Sequence, residues 1–355
     1  MLLGFMHYRK KPTNKAYAYA AVAKSEGAEV LYFSPGAIDF EKKKIAGFMY
    51  LDGEWKKVTS DFPSVIFNIV GFARERQNQI LDRLSEEVPF TSFPIGSKVT
   101  VYKNLMARGE FSNYLVPSEE ISSVEQFFSL LNKYEEVVIK PSMGCQGKNV
   151  YYIKKQDEFY EIISGPEKTK HTFAEISAFV SDKISKDDYL IQPFINCRTK
   201  SGNSYDFRLH VQKNASGKWT IGKIYPRIAE RGSIVCNISS GGYTGDLTAF
   251  LKKEFGKDYF DVQSSMEKFS LQLAAHLDMI QKHQYNEELD ELGIDIGLDK
   301  NKKIWIYEIN WRPGYPPSMN LDLNIVKNSI HYAMFKAQKR KEENTNENNN
   351  FYRNK

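Results

Sequence analysis

Hydrophobic and polar positions change period repeatedly along this chain, and each change predicts an element. An apolar run at residues 2–6 reads as a strand, and an Ala-rich stretch at 15–26, ended by Gly27, reads as a helix. Strands follow at 30–33 and 64–70, then a helix at 77–87. That alternation predicts a small α/β unit with a parallel sheet over residues 1–95. Residues 96–190 open with a helix around Lys98 and continue with an amphipathic helix at 123–133. Two β-branched runs follow, 137–139 and 150–153, on either side of a glycine-bearing loop. Residues 191–330 carry long strands in hairpin order, an amphipathic helix at 263–283, and two more apolar runs that end near Trp311. Residues 331–355 form a polar tail, charged and almost free of aliphatics beyond Lys336, which predicts a solvated or disordered end.

The loop between the two β-branched runs is the first candidate for chemistry. Gly144 and Gly147 let the backbone approach an anion with no Cβ in the way, Gln146 lies between them, and Lys140 and Lys148 place positive charge at the two ends. A Gly-rich hairpin with a solvated edge lysine is the plainer alternative. A second candidate strengthens the first. Asp295 sits in one apolar run and Glu308 and Asn310 in the next, with the polar LDKNKK stretch as the hairpin connection between them. Residues two apart on a strand share a face, so Glu308 and Asn310 project together. Hard carboxylate and amide oxygens suit magnesium, which takes its remaining ligands from phosphates and water. The alternative, surface acids flanking a hairpin, fits poorly with the neighbours Ile304, Trp305, Ile306, Ile309 and Trp311, among which unpaired acids are costly.

Composition narrows the classes. The formal net charge is only +5 and the basic residues are spread along the chain, a poor footprint for nucleic acid. No apolar run is long enough to span a bilayer, and the opening apolar stretch is too short for a signal peptide, so a cytoplasmic protein is expected. Cys145, Cys197 and Cys236 are odd in number and widely spaced, which predicts free thiols. His276 and His283, seven apart on a helix, lack a third ligand nearby and predict packing or surface roles.

Together the segments VVIKPSMGCQGKNVYYI and LGIDIGLDKNKKIWIYEINWRPGYP resemble the ATP-grasp superfamily. The resemblance implies an α/β fold of α+β lobes: a small N-terminal parallel pre-ATP-grasp domain (1–95), a clamping lobe (96–190), and a lobe with metal and catalytic strands (191–330). It implies ATP and Mg2+ as cofactors, with Lys140, Gly144, Gln146 and Gly147 covering the phosphates. Lys98, in SKVTVYKNLMARG, matches the family's earlier phosphate-binding lysine, with Lys103 as the alternative. DDYLIQPFI resembles the hinge strand under the adenine, so Gln192 and Phe194 match by position, although Pro193 replaces the acid that many relatives use for the ribose. In glutathione-synthetase-like relatives two hairpin arginines precede an Asn and paired glycines. Arg208 and Arg227, the implied catalytic residues, then Asn237, Gly241 and Gly242, implied substrate contacts, match that order; Val235 replaces a further arginine. Arg231, His7, His210 and Tyr243 are secondary candidates. Within the superfamily, AGFMYLDGEWKKV, IKPSMGCQGKNV, DFRLHVQKNASGKWTIGKIYPR and CNISSGG resemble the YheC/YheD family of endospore coat-associated proteins. That likeness implies a sporulation setting with possible spore-coat association, while the match to glutathione-synthetase-like ligases implies an ATP-dependent carboxylate–amine ligase, with an amino acid or peptide-like substrate suggested by the setting. An ATP-grasp phosphotransferase and a non-catalytic coat protein are the alternatives.

Overall fold

The computed structural model describes residues 1–69, 75–142, 148–314, 316 and 322–353, which build three sheets. The first contains β1 (Leu2–Met6), β2 (Glu29–Phe33), β3 (Ile38–Asp39), β4 (Lys44–Leu51), β5 (Glu54–Asp61) and β6 (Val65–Asn68), with α1 (Asn14–Ser25) and α2 (Glu75–Glu87). Thr13 caps α1 by accepting from the Ala16 N–H. β1 pairs in parallel with β2 and β6, as the strand and helix alternation predicts. The sheet as a whole is mixed, because the β4–β5 hairpin adds antiparallel strands beside β2. Its turn places Asp52 and Gly53 at φ +52° and +85°, a geometry that Asp-Gly favours.

The second sheet comprises β7 (Glu119–Glu120), β8 (Glu136–Pro141), β9 (Tyr151–Gln156), β10 (Phe159–Ser164), β11 (Glu167–His171) and β12 (Tyr189–Pro193). The helix α3 (Lys98–Arg108) precedes them, and α4 (Val124–Tyr134) and α5 (Phe173–Lys186) pack Phe127, Leu131, Ile176 and Val180 against Val137, Ile139, Ile153 and Ile162. A reciprocal Thr172–Glu175 capping box starts α5. The third sheet, antiparallel throughout, orders β15 (Tyr243–Thr244), β14 (Trp219–Ile228), β13 (Tyr205–Lys213), β16 (Glu291–Leu298) and β17 (Ile304–Trp311). The helices α6 (Leu247–Phe255) and α7 (Tyr259–Tyr285) cover it. No helix among the described residues is long and apolar enough to cross a membrane.

Two boundaries differ from the sequence reading. Val101 and Leu105 of α3 join the core of the third sheet rather than that of the second, so the helix carrying Lys98 belongs with the strands it faces. The C-terminal stretch expected to be disordered is instead the helix α8 (Leu323–Arg353). Val326, Ile330, Ala333 and Ala337 recur at helical spacing and pack on Leu3, Phe5, Tyr19 and Phe67 of the first domain. Small alanines and a polar outer face hid that stripe from a composition reading. Ile330→Ala should lower unfolding free energy by about 2–5 kcal/mol in chemical denaturation, whereas truncation after Lys341, beyond which Glu342, Glu343, Thr345 and Asn346 are exposed, should leave the midpoint nearly unchanged.

Candidate functional site

A cleft of about 190 Å³ lies between the second and third sheets. β8 buries Val137 and Ile139 in its own core, so strand alternation turns Val138 and Lys140 toward the cleft. Its neighbour β12 contributes Gln192, whose Nε2 donates to Ser118 Oγ. Phe194 follows it, with its N–H donating to Glu136 O at 2.9 Å and its ring meeting that of Tyr152 edge-on at 4.8 Å. Lys148 lines the same opening.

Across from them stand charged groups of the third sheet. Ser97 caps α3 and sets Lys98 in its first turn, with Nζ 3.4 Å from Glu308 Oε1. Lys103 is exposed, so the structure singles out Lys98 of the two lysines. Burial and the neighbouring Lys98 charge pull the Lys140 ammonium down to about 8, against the opposing influence of Glu308.

β13 explains how the ionic floor of the cleft is held. Phe207, Leu209 and Val211 point into the core, which leaves Asp206, Arg208, His210 and Gln212 on the opposite face. Arg208 lies in register with Asp295 of β16 and grips its carboxylate through both Nε and Nη2. Arg227 of β14 lies in register with Asp206 and makes two 2.7 Å bonds to it, while its Nη2 stands 3.0 Å from Asp295 Oδ2. Burial alone would raise the Asp295 pKa, but the two guanidiniums outweigh it and hold the carboxyl below its usual range. Glu308 pairs with Asp295 across β16–β17, and both line the cleft.

The predicted residues therefore divide. Lys98, Lys140, Gln192, Phe194, Arg227, Asn237, Asp295 and Glu308 come together around one opening. Arg208 is not among the side chains lining this opening; it grips the Asp295 carboxylate and positions it. Asn310, two residue pairs further along β17 opposite Gly293, is not among the lining side chains. Gly241 and Gly242 shape the loop beside Asn237: Gly241 has φ +90°, and a Cβ on Gly242 would collide with the Cys236 carbonyl. His210, 1% exposed, is spent on Glu291 at 3.0 Å, and Tyr243 is exposed outside the cleft. Gly144, Gln146 and Gly147 lie outside the described residues. Asp206 also lines the cleft floor, and its i, i+2 spacing from Arg208 was the available sequence signal for that place.

Among the described residues no group of three His, Cys, Asp or Glu side chains is spaced to hold a metal ion by itself. Asp295 and Glu308, facing one cleft beside several cations, fit a cation that arrives with a polyanion, since the polyanion supplies the missing oxygens.

Two lobes with a charged cleft between their sheets define an ATP-grasp protein, and comparison with solved structures agrees. The ATP-grasp ligase PsnB, complexed with minimal precursor, Mg and ADP, superposes with a TM-score of 0.56 at 11% identity, covering 95% of this chain and 98% of that one. The D-alanine-D-alanine ligase of Coxiella burnetii gives 0.52 at 12% identity, covering 96% and 97%. Residues 87–335 match the YheC/D like ATP-grasp family model, and the chain belongs to that family. It is 26% identical over 341 residues to the endospore coat-associated protein YheD of Bacillus subtilis (strain 168), covering 88% of this chain and 72% of that protein. To YheC of the same organism it is 26% identical over 326 residues, covering 88% of both.

Asp295→Ala should destabilise the fold by about 3–5 kcal/mol, because it strands two buried guanidiniums. Asp295→Asn, which keeps shape and one acceptor, should cost less. Urea unfolding checks both, and equal midpoints for wild type and Asp295→Ala would show that the network carries little of the fold.

Proposed function

We propose that this chain is an ATP-dependent carboxylate–amine ligase working through an acyl phosphate. The observation that carries the reading is the cleft in which Lys98, Lys140 and Arg227 converge on Asp295 and Glu308. Lys98 and Lys140 are like charges held close enough that burial and repulsion weaken the Lys140 proton. A triphosphate would relieve both effects. Phe194 and Val138 offer an apolar bed for the base, with Gln192 beside it. Glu308, Asp295 and, further along its strand, Asn310 would hold Mg2+, which when bound neutralises phosphate charge in the transition state.

In the first step a substrate carboxylate oxygen would attack the γ-phosphorus, releasing ADP and leaving an acyl phosphate. An amine would then attack the acyl carbon, expelling inorganic phosphate and losing a proton. Arg227 faces the cleft with its guanidinium fixed on Asp206 and Asp295, so it can meet charge on the transferring phosphoryl without reorganising. The D-alanine-D-alanine ligase and the precursor-bound PsnB among the structural relatives support an amino acid or peptide-like substrate. The names of YheC and YheD support a setting in spore formation with association with the coat.

Two measurements test this. Titration calorimetry should show ATP binding that weakens greatly in EDTA, and equal affinity with and without magnesium would sink the metal assignment. Lys140 is mostly charged near pH 7 and mostly neutral above about 9, and phosphates favour the charged form. ATP binding should therefore take up a proton near pH 8 and weaken as pH rises further, whereas Lys140→Arg, always charged, should flatten the profile.

The second measurement uses hydroxylamine in place of the amine. A ligase should give a hydroxamate and ADP only when a suitable carboxylate is present. A phosphotransferase would give a stable phosphoester, and a non-catalytic coat protein no ADP. Arg227→Lys should fold and bind ATP but lose hydroxamate yield by about 10²–10³-fold, the scale for one fixed transition-state donor.

A further inference from the structure

A second cleft, of about 960 Å³, opens between the loop that follows β1 and the turn that follows β17. Arg9, Lys10, Lys11, Lys15 and Arg312 line it with His7, and among the described residues no carboxylate does. Arg312 is compensated from behind, by Asp290 at 2.9 Å and Glu291 at 3.0 Å. Arg9, Lys10 and Lys11 differ: among the described residues no carboxylate stands within ion-pair distance of them. Their loop is nonetheless fixed. The Arg9 N–H donates to His7 Nδ1 at 2.9 Å, and the Tyr32 hydroxyl donates to Arg9 O at 2.8 Å. The first turn of α1, at the cleft's edge, contains no acidic residue either. Burial, then Arg9 and Lys15, lower the His7 pKa.

We propose that this cleft binds the side-chain carboxylates of an acidic peptide segment, an inference that rests on the ligase reading for the chemistry but not for the binding. Arg9, Lys10 and Lys11 are consecutive residues of a non-helical run, so their side chains leave the backbone at points up to about 7 Å apart rather than from one phosphate-sized cradle. Spaced carboxylates on a peptide match that spread. Arg312 lies four residues beyond Glu308 along β17, which sets the cleft roughly 13 Å from the proposed phosphate site. A peptide held there by its acidic side chains can present a neighbouring carboxylate to the nucleotide.

Tetraglutamate is the probe, added to the full chain in low-salt buffer. Calorimetry should show binding that weakens with salt, and tetralysine should not bind. Lys10→Ser with Lys11→Ser should weaken tetraglutamate roughly tenfold, the scale of two exposed ion pairs, while ATP affinity stays unchanged. The His7 imidazole, followed by NMR, should titrate at higher pH once tetraglutamate is bound. No binding of tetraglutamate, or equal binding by the double variant, overturns the inference. Inorganic phosphate that binds as tightly and displaces the peptide also overturns it. Tetraglutamate binding without ADP formation by any carboxylate would uphold this cleft and sink the ligase reading.

Discussion

The position of Asp295 governs the cleft. Its carboxylate is shared between Arg208 and Arg227, and Arg227 is in turn locked to Asp206, so four charged side chains on three adjacent strands form one buried unit. Such a unit adds little net stability, because desolvating four charges offsets most of their attraction. Its effect is geometric. Each guanidinium is held at two points, and neither can turn away from the cleft floor without leaving a buried charge unpaired.

The same pair of strands is pinned a second time at its other end. Asp290 and Glu291, at the start of β16, bind Arg312, just past the end of β17, and Arg312 also donates to the Asn68 carbonyl and to Thr91 of the first domain. Its φ of +49° is unusual for a side chain of that size, and four polar partners hold it there. His210 and Gln212 extend the polar face of β13 to Glu291, and Gln212 reaches Ser329 of α8. One continuous polar stripe thus links the cleft floor, the first domain and the C-terminal helix. The sequence places these residues in unrelated segments, and only the antiparallel register brings them together.

Residues whose local pattern reflects their tertiary role were legible from the chain. The β-branched run before Lys140 and the apolar run that holds Glu308 and Asn310 were legible as strands, because β-branched and apolar density is a local property. The helices 123–133 and 263–283 were legible for the same reason, their apolar faces being written at helical spacing. What escaped was non-local. Nothing in the local sequence says that Arg208 and Arg227 share the Asp295 carboxylate, since that follows from the β14–β13–β16 order of the sheet. The α8 stripe escaped because two of its four inner residues are alanines, whose burial depends on how closely another helix approaches rather than on their own hydrophobicity.

Separate cores give the cleft its mechanical character. The second sheet packs with α4 and α5 around Val137, Ile139 and Ile191, whereas the third packs with α3, α6 and α7 around Phe207, Leu209 and Ile294. Lys98 belongs to the second of these bodies and Lys140 to the first, so the repulsion that weakens the Lys140 proton acts across the gap between them. Glu308 offsets part of it, from 3.4 Å on the Lys98 side. A polyanion between the two ammoniums would turn a force that separates the lobes into one that draws them together. Binding and closure would then share one electrostatic cause, while the arginine–aspartate floor stays held within its own sheet.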